Sequence, residues 1–423
     1  MQYSLRQRLF YEGFVKMTAS LPTLESLDVN GKTVLVRLDL NVPMQAGRVT
    51  DATRILRIIP TLQYLLERDA KVVILSHLGR PKGQFDPAQS LAPLVDALSA
   101  QLWDRPVKFA PDVVGTTART AVANLQPGDV LLMENLRFHK EEEAGDAAFA
   151  EQIAKLGDCF VNDAFSCAHR AHASMVGINP HLPSAAGRLM EEEVGALTHA
   201  LSSPQRPLTA IVGGSKVSTK LELLGNLVAK VDHLIIGGAM ANTFLYAQGI
   251  EVGASLCERD MAETARQILA TATGQNCQIH LPVDVVATKA FAAHAKSVVV
   301  DAARIPADHM VLDIGPQSLF NLAGVIAQSK TLVWNGPVGA FETAPFDATT
   351  VQIARLVAAA SRSGALHSVA GGGDTVAALA HAGLSQELSY LSTAGGAFLE
   401  WLEGKELPGI AALLHPAPAK KRA

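Results

Sequence analysis

Short apolar runs recur along the chain: TVLVRL (33–38), KVVILS (71–76), DVLLM (129–133), LTAIV (208–212), HLIIG (233–237) and TLVW (331–334). A strand with one wet face alternates apolar and polar positions. These runs do not alternate, so they suit parallel strands covered on both faces. Between them lie amphipathic stretches of helical period at 52–68, 141–155, 258–272 and 347–361, with Pro60 placed to kink or offset the first. Strands alternating with helices predict an α/β fold built on parallel sheets. The series falls into two halves that divide near 181–206, where HLPSAAG and PQRP flank one charged helical run, RLMEEEVGALTHALSS. Pro and Gly on either side of a single amphipathic helix predict a helix joining two Rossmann-like parallel-sheet domains.

Composition supports that division. A chain of 423 residues exceeds what one core usually organises, and 48% hydrophobic with 18% charged residues argues against disorder. The formal net charge of −4 supplies no overall basic field, which excludes recruitment of nucleic acid or an anionic membrane; anion sites must be built locally. Four cysteines without a CxxC pair predict a reduced, cytoplasmic setting. No apolar run is long enough to span a bilayer. The segment MQYSLRQRLFYEGFVK has neither an unbroken apolar core nor a cleavage site. Residues 1–16 read as a dispensable extension before an ordinary start at Met17, and the tail HPAPAKKRA reads as a fraying end.

In sheets of this kind ligands gather beyond the carboxyl ends of the strands. The first half places Arg and His there repeatedly. Asp39 and Asn41 follow the first run, and Arg54 opens the next helix. His77 and Arg80 follow the second run, Arg137 the third, and Cys167, His169, Arg170 and His172 follow DCFVNDAF. Any one of these is ordinarily a solvated loop residue. Together they suit a small, multiply anionic ligand, because guanidinium forks match phosphate and carboxylate oxygens. Cys167, His169 and His172 superficially resemble a zinc cluster, but Arg170 would set a cation inside it.

The second half offers backbone instead. Gly213-Gly214-Ser215-Lys216 follows a strand, with Lys216 expected one turn into a helix and Lys220 beyond it. The order GGSK is not a Walker motif, and Gly371-Gly372-Gly373-Asp374-Thr375 lacks the spacing of a dinucleotide fingerprint. That second loop opens a helix over 373–383, whose N-terminus suits phosphate, with Asp374 able to hold a metal travelling with it. Trp334-Asn335-Gly336-Pro337 and Glu342 add a loop with an acceptor for ribose hydroxyls.

These segments, with SHLGRP, ENLRFHKEEE, KVDHLIIGGAMANTFL, LDIGP, WNGPVGAFE and LSTAGGA, resemble the phosphoglycerate kinase family from about residue 18 to 415. The resemblance implies that Asp39, Asn41, Arg54, His77, Arg80, Arg137, Arg170 and nearby His169 bind 3-phosphoglycerate. It implies that Lys216, Lys220, Gly315, Asn335, Glu342 and Gly371–Thr375 bind ATP or ADP with Mg²⁺. It also implies that the C-terminal tail packs back on the N-terminal domain, giving domains 17–186 plus 397–423 and 205–396 joined by a helix over 187–204. Ser166-Cys167 stand where the family usually has Gly-Thr, and Ser215, Ala239 and Ala394 replace Ala, Gly and Gly.

No general base is evident, and none is needed: a carboxylate nucleophile is already ionised near neutral pH. Transfer then rests on positioning and charge neutralisation. Arg54, Lys216, Lys220, Mg²⁺ and the helix start at Gly373 are the expected catalytic elements, in a monomer that closes about a hinge. A nicotinamide-dependent oxidoreductase is disfavoured by the missing fingerprint. A non-catalytic nucleotide scaffold would need no ring of Arg and His.

Overall fold

The computed structural model describes residues 21–415. The first half supplies β1 (Thr33–Arg37), a small hairpin of β2 (Met44–Gln45) and β3 (Arg48–Val49), then β4 (Lys71–Leu75), β5 (Val107–Ala110), β6 (Val130–Met133), β7 (Cys159–Asn162) and β8 (Ser184–Ala186). Six of these form one sheet in the order β5-β6-β4-β1-β7-β8, with every pair parallel. The absence of polar alternation has a direct cause in β1. Val34 and Val36 pack with Ile55, Ile58, Leu62 and Leu65 on one face, while Leu35 packs with Phe149, Ile153 and Phe160 on the other.

The second half supplies β9 (Leu208–Val212), β10 (His233–Ile236), β11 (Gln278–His280), β12 (Asp284–Thr288), β13 (Ser297–Asp301), β14 (Met310–Ile314), β15 (Thr331–Asn335), β16 (His367–Gly371) and β17 (Tyr390–Ser392). A second six-stranded sheet runs β11-β10-β9-β15-β16-β17, again wholly parallel. The chain divides into two compact units, Met1–Gly195 with Glu406–Ala423, and Ala196–Lys405. The helix Arg188–Leu201 carries the chain from one to the other. The tail returns to the first unit: in the helix Pro408–Leu414, Gly409 N–H donates to Ala168 O at 2.8 Å, and Ile410 and Leu413 are buried.

Some features depart from the sequence pattern. The antiparallel sheet β13-β12-β14 was not expected; its apolar runs are short, and β13 is an edge strand with Val298 and Val299 exposed. The stretch 141–155 is two helices, Lys140–Glu143 and Ala147–Ala154. The chain turns at Gly145, and Asp146 caps the second helix by accepting from Phe149 N–H at 2.7 Å. The helix Thr53–Leu66 continues through Pro60. Leu56 and Pro60 are both exposed, so the carbonyl that loses its partner there faces water. Residues 1–16 and the end of the tail lie outside the described residues.

Asp313 ties β14 to the helix Ala348–Arg362. Its carboxylate accepts from Thr349 N–H at 3.0 Å and Ile314 N–H at 2.9 Å. Burial pushes its pKa from 3.8 up to about 7, against the pull of those hydrogen bonds. An acid whose folded-state pKa is raised contributes stability that is present below 3.8 and lost as pH climbs through about 7. Asp313→Asn lacks that loss. Its melting temperature should fall furthest below that of the unaltered protein near pH 5, with the gap narrowing by pH 8. Thermal denaturation at the two pH values checks this.

Candidate active site

In the first sheet β1 lies between β4 and β7, so the chain's strand order reverses there and the loops after these strands meet. Asp39, just past β1, is the hub. Its Oδ2 accepts from Arg54 Nη1 at 2.6 Å and from Ser166 Oγ at 2.5 Å, and its Oδ1 accepts from Asn41 N–H at 2.9 Å. Arg54 also donates to Asn41 O at 3.1 Å, and Asn41 Oδ1 accepts from Gly79 N–H at 3.0 Å. Arg137 Nη1 then donates to Gly79 O at 2.7 Å. Loops after β1, β4 and β6 are thereby laced together. Arg170 Nε donates to His169 Nε2 at 3.2 Å, and Arg80 stands exposed beyond Gly79.

The sequence pattern hid one contributor. Arg37, the last residue of β1, is fully buried. It donates to Ser174 Oγ at 2.9 Å and to Leu38 O, and its Nη2 lies 3.2 Å from His77 Nδ1. A guanidinium has nothing to accept with, so His77 Nδ1 accepts and the ring proton sits on Nε2. The available signal was a charge inside an otherwise apolar strand.

Burial holds His77 well below its ordinary pKa, with Arg37, Arg137 and Arg170 adding repulsion. His172 is pushed down to about 3 by burial and then by Arg137, Arg37 and Arg170. His169 is lowered by burial and by Arg170. The guanidinium of Arg137 is lowered too, by burial and then by Arg170. The histidines stay neutral first because burial penalises a charged ring, and then because the neighbouring arginines repel one. Buried Arg137 Nη2 and His169 Nδ1 have no protein hydrogen-bond partner. Buried donors left unpaired call for an explanation, and ligand oxygens are one kind of group that satisfies them.

Among the described residues the His/Cys/Asp/Glu group whose ligand atoms come within 4.8 Å of one another is Asp39, His77 and Cys167, not Cys167, His169 and His172. Arg37 Nη2 sits 3.2 Å from His77 Nδ1 and 3.9 Å from Cys167 Sγ, where it opposes any added cation.

In the second sheet the order reverses between β9 and β15, and backbones meet there. Gly336 has φ 100, and a Cβ on it would lie 2.3 Å from Gly213 O; Gly238 has φ 67, and its Cβ would lie 2.6 Å from Gly214 O. Side chains are excluded at both. Lys220 Nζ crosses this junction, donating to Gly213 O at 2.6 Å, Asn335 Oδ1 at 2.7 Å and Asn335 O at 3.2 Å. Burial lowers its pKa to about 8, opposed by the charge of Asp374. Asn335 Nδ2 donates to Gly371 O at 3.0 Å, and Thr375 Oγ1 accepts from Gly336 N–H at 2.7 Å. The helix Gly373–His381 starts here with exposed Asp374 in its first turn.

Lys216 is not on a helix: it stands exposed in irregular chain just before a turn at Ser218–Thr219, and the next helix, Leu221–Val228, begins only after Lys220. Lys220 N–H donating to Val217 O at 2.9 Å and Thr219 Oγ1 donating to Lys216 O at 3.0 Å close the turn that follows it. Gly315 is buried against the Asp284 carboxylate, and Glu342 is exposed. A cavity of about 170 Å³ lies beside Gly237, lined by Ile235, Ile314, Leu322, Val338 and His280 among others.

A cluster of buried arginines and neutral histidines in one unit, with a glycine-lined helix start and lysines in the other, is the equipment of a phosphotransferase with two small substrates. A sequence model of the phosphoglycerate kinase family matches residues 24–405. The chain is 59% identical to the phosphoglycerate kinase of Azorhizobium caulinodans over 391 residues, which is 92% of this chain and 98% of that one. The solved phosphoglycerate kinase of Coxiella burnetii superposes with a TM-score of 0.87 at 43% identity, covering 94% of this chain and all (100%) of that one. That of Pyrococcus horikoshii OT3 gives 0.78 at 31% identity, covering 92% and 98%. The chain belongs to the phosphoglycerate kinase family. Its reaction is reversible phosphoryl transfer between ATP and 3-phosphoglycerate, giving ADP and 1,3-bisphosphoglycerate.

Proposed function

We propose that the first unit holds 3-phosphoglycerate through Asp39, Asn41, Arg54, His77, Arg80, Arg137, His169 and Arg170. In the same reading the second unit holds the nucleotide through Lys216, Lys220, Gly315, Asn335, Glu342 and Gly371–Thr375. The observation that carries the first half is the buried, unpartnered Nη2 of Arg137 in a pocket whose histidines are all kept neutral. Ligand oxygens there would satisfy the orphan donor and offset the repulsion among Arg37, Arg137 and Arg170. The neutral His77, its Nε2 protonated, donates without adding charge.

Nothing needs to take a proton from the acid. Its carboxylate attacks the γ-phosphoryl in line once held within about 3–3.5 Å. Arg54 is then required to exchange Asp39 for the transferring group. Lys220 must likewise trade a backbone carbonyl for a phosphate oxygen, while exposed Lys216 reaches the phosphates without such a trade. The helix start at Gly373 directs N–H groups at the same charge. Asp374, an exposed carboxylate beside the phosphate opening, suits Mg²⁺, which keeps waters and one or two carboxylates besides its phosphates. When bound, the ion would neutralise phosphate charge.

Because separate units hold the two substrates, transfer requires closure about a hinge, and Ala186-Gly187 and Ser392–Gly396 are the proposed points of bending. The described cysteines stand free, which supports a reducing, cytoplasmic setting. No helix among the described residues is long and apolar enough to cross a membrane. One chain carries both proposed sites, which supports action as a monomer.

Three measurements test this reading. ADP formation from ATP and 3-phosphoglycerate, pulled by removal of the acyl phosphate, should collapse when the metal is chelated. Undiminished turnover would refute the role of Asp374. Lys220 must be an ammonium to serve phosphate, so kcat/KM for ATP should fall as pH rises through about 8. Lys220→Arg should lose that inflection; a flat profile in the unaltered enzyme up to pH 9.5 would exclude the role. The radius of gyration from small-angle scattering should shrink more with both substrates than with either alone, and an unchanged radius would dispose of the hinge.

A further inference from the structure

The helix Arg188–Leu201 starts in the first unit and passes beyond Gly195 into the second. A helix start leaves several backbone N–H groups unpaired, and here a buried pair from outside the helix takes them. Asp163 has no exposure. Its Oδ1 accepts from Met190 N–H at 2.9 Å, and its Oδ2 accepts from Thr61 Oγ1 at 2.7 Å. Thr61 Oγ1 in turn accepts from Arg188 N–H at 2.8 Å. The backbone comes so close that a Cβ on Gly187 would lie 2.3 Å from Asp163 Cγ.

Thr61 does not act alone. Arg57 reaches Glu192 and Glu193 at 3.4 Å each. The Tyr64 ring lies 5.0 Å from the guanidinium of Arg188, which also pairs with Glu191 at 3.1 Å and with Glu25. Positions 57, 61 and 64 share one face of the helix Thr53–Leu66. Arg54 lies on the same stripe, about 10 Å from Thr61 along the axis, and it holds Asp39 at 2.6 Å. A second link closes the circuit: the loop that carries Asp163 also carries Ser166, whose hydroxyl donates to Asp39.

We propose that Thr61 and Asp163 are positioning residues for phosphoryl transfer, anchoring the connecting helix and tying that anchor, through the stripe Arg54–Arg57–Thr61–Tyr64, to the acid site. The proposal rests on the reading of Arg54 as an acid-site residue. When Arg54 exchanges Asp39 for a ligand, the helix that bears it shifts its footing on the first turn of Arg188–Leu201. Neither Thr61 nor Asp163 touches substrate.

The test combines kinetics, calorimetry and hydrogen exchange on the full chain. Thr61→Val keeps volume and loses the hydroxyl; Thr61→Ser restores it. Thr61→Val should lower kcat about tenfold, the rate equivalent of one hydrogen bond. The Kd of each substrate measured alone should stay within about twofold, and Thr61→Ser should recover the rate. In the unaltered protein 3-phosphoglycerate alone should slow amide exchange at 188–193, and in Thr61→Val it should not. A merely structural role would lower the melting temperature while leaving kcat and the exchange response intact, and that result overturns the proposal. If Thr61→Val does not fold, Arg57→Gln carries the same exchange test with the same two outcomes. Arg54→Gln separates the underlying reading: unchanged affinity for the acid would refute Arg54 as its ligand, whatever Thr61→Val does.

Discussion

A parallel strand covered on both faces has one place to put polar chemistry, the loop beyond its carboxyl end, and both sheets obey that constraint. The cores on either side of β1 leave no room for charge within the strand except at its last residue. There Arg37 is buried and held by Ser174, Leu38 O and His77. Its position sets the tautomer of His77, helps to keep His77 and His172 neutral, and denies a cation the space between His77 and Cys167.

The two units answer the same constraint with different materials. The first uses side chains and leaves their electrostatics unbalanced: Arg37, Arg137 and Arg170 repel one another, and Arg137 Nη2 has no protein acceptor. A ligand there relieves repulsion as well as making contacts, which favours tight and charge-selective recognition. The second uses backbone brought together by glycines, and its half-buried Lys220 already has three acceptors. Its donors are matched within the protein, and in the proposed reading a phosphate competes with Gly213 O and Asn335 for Lys220. One half is primed by deficit and the other by exchange.

Much of this was legible in the chain. The strands were visible because burial on both faces writes continuous apolar runs, and the connecting helix because Pro and Gly fence a single amphipathic stretch. Asp39, Asn41, Arg54 and Arg137 were nameable from their places after strands, and the structure laces them together. Arg37 was not, since a charge at the end of TVLVRL reads as the strand's boundary. The sheet β13-β12-β14 went unread because its valines at 298 and 299 are exposed, so no burial pattern marks them. Lys216 was misplaced on a helix because spacing alone cannot show that the helix waits until Leu221, beyond a turn at Ser218–Thr219. The anchor formed by Thr61 and Asp163 joins residues 102 positions apart, and no local period records such a pairing.

The return of the tail to the first unit bears on how the protein is made. Leu407, Ile410 and Leu413 are buried parts of that unit's interior, yet a ribosome delivers them after everything in Ala196–Lys405. The second unit is continuous in sequence and needs nothing made after Lys405. The first, though begun earlier, must wait for the last turn of helix. An early start in synthesis therefore gives this unit no complete interior ahead of the second.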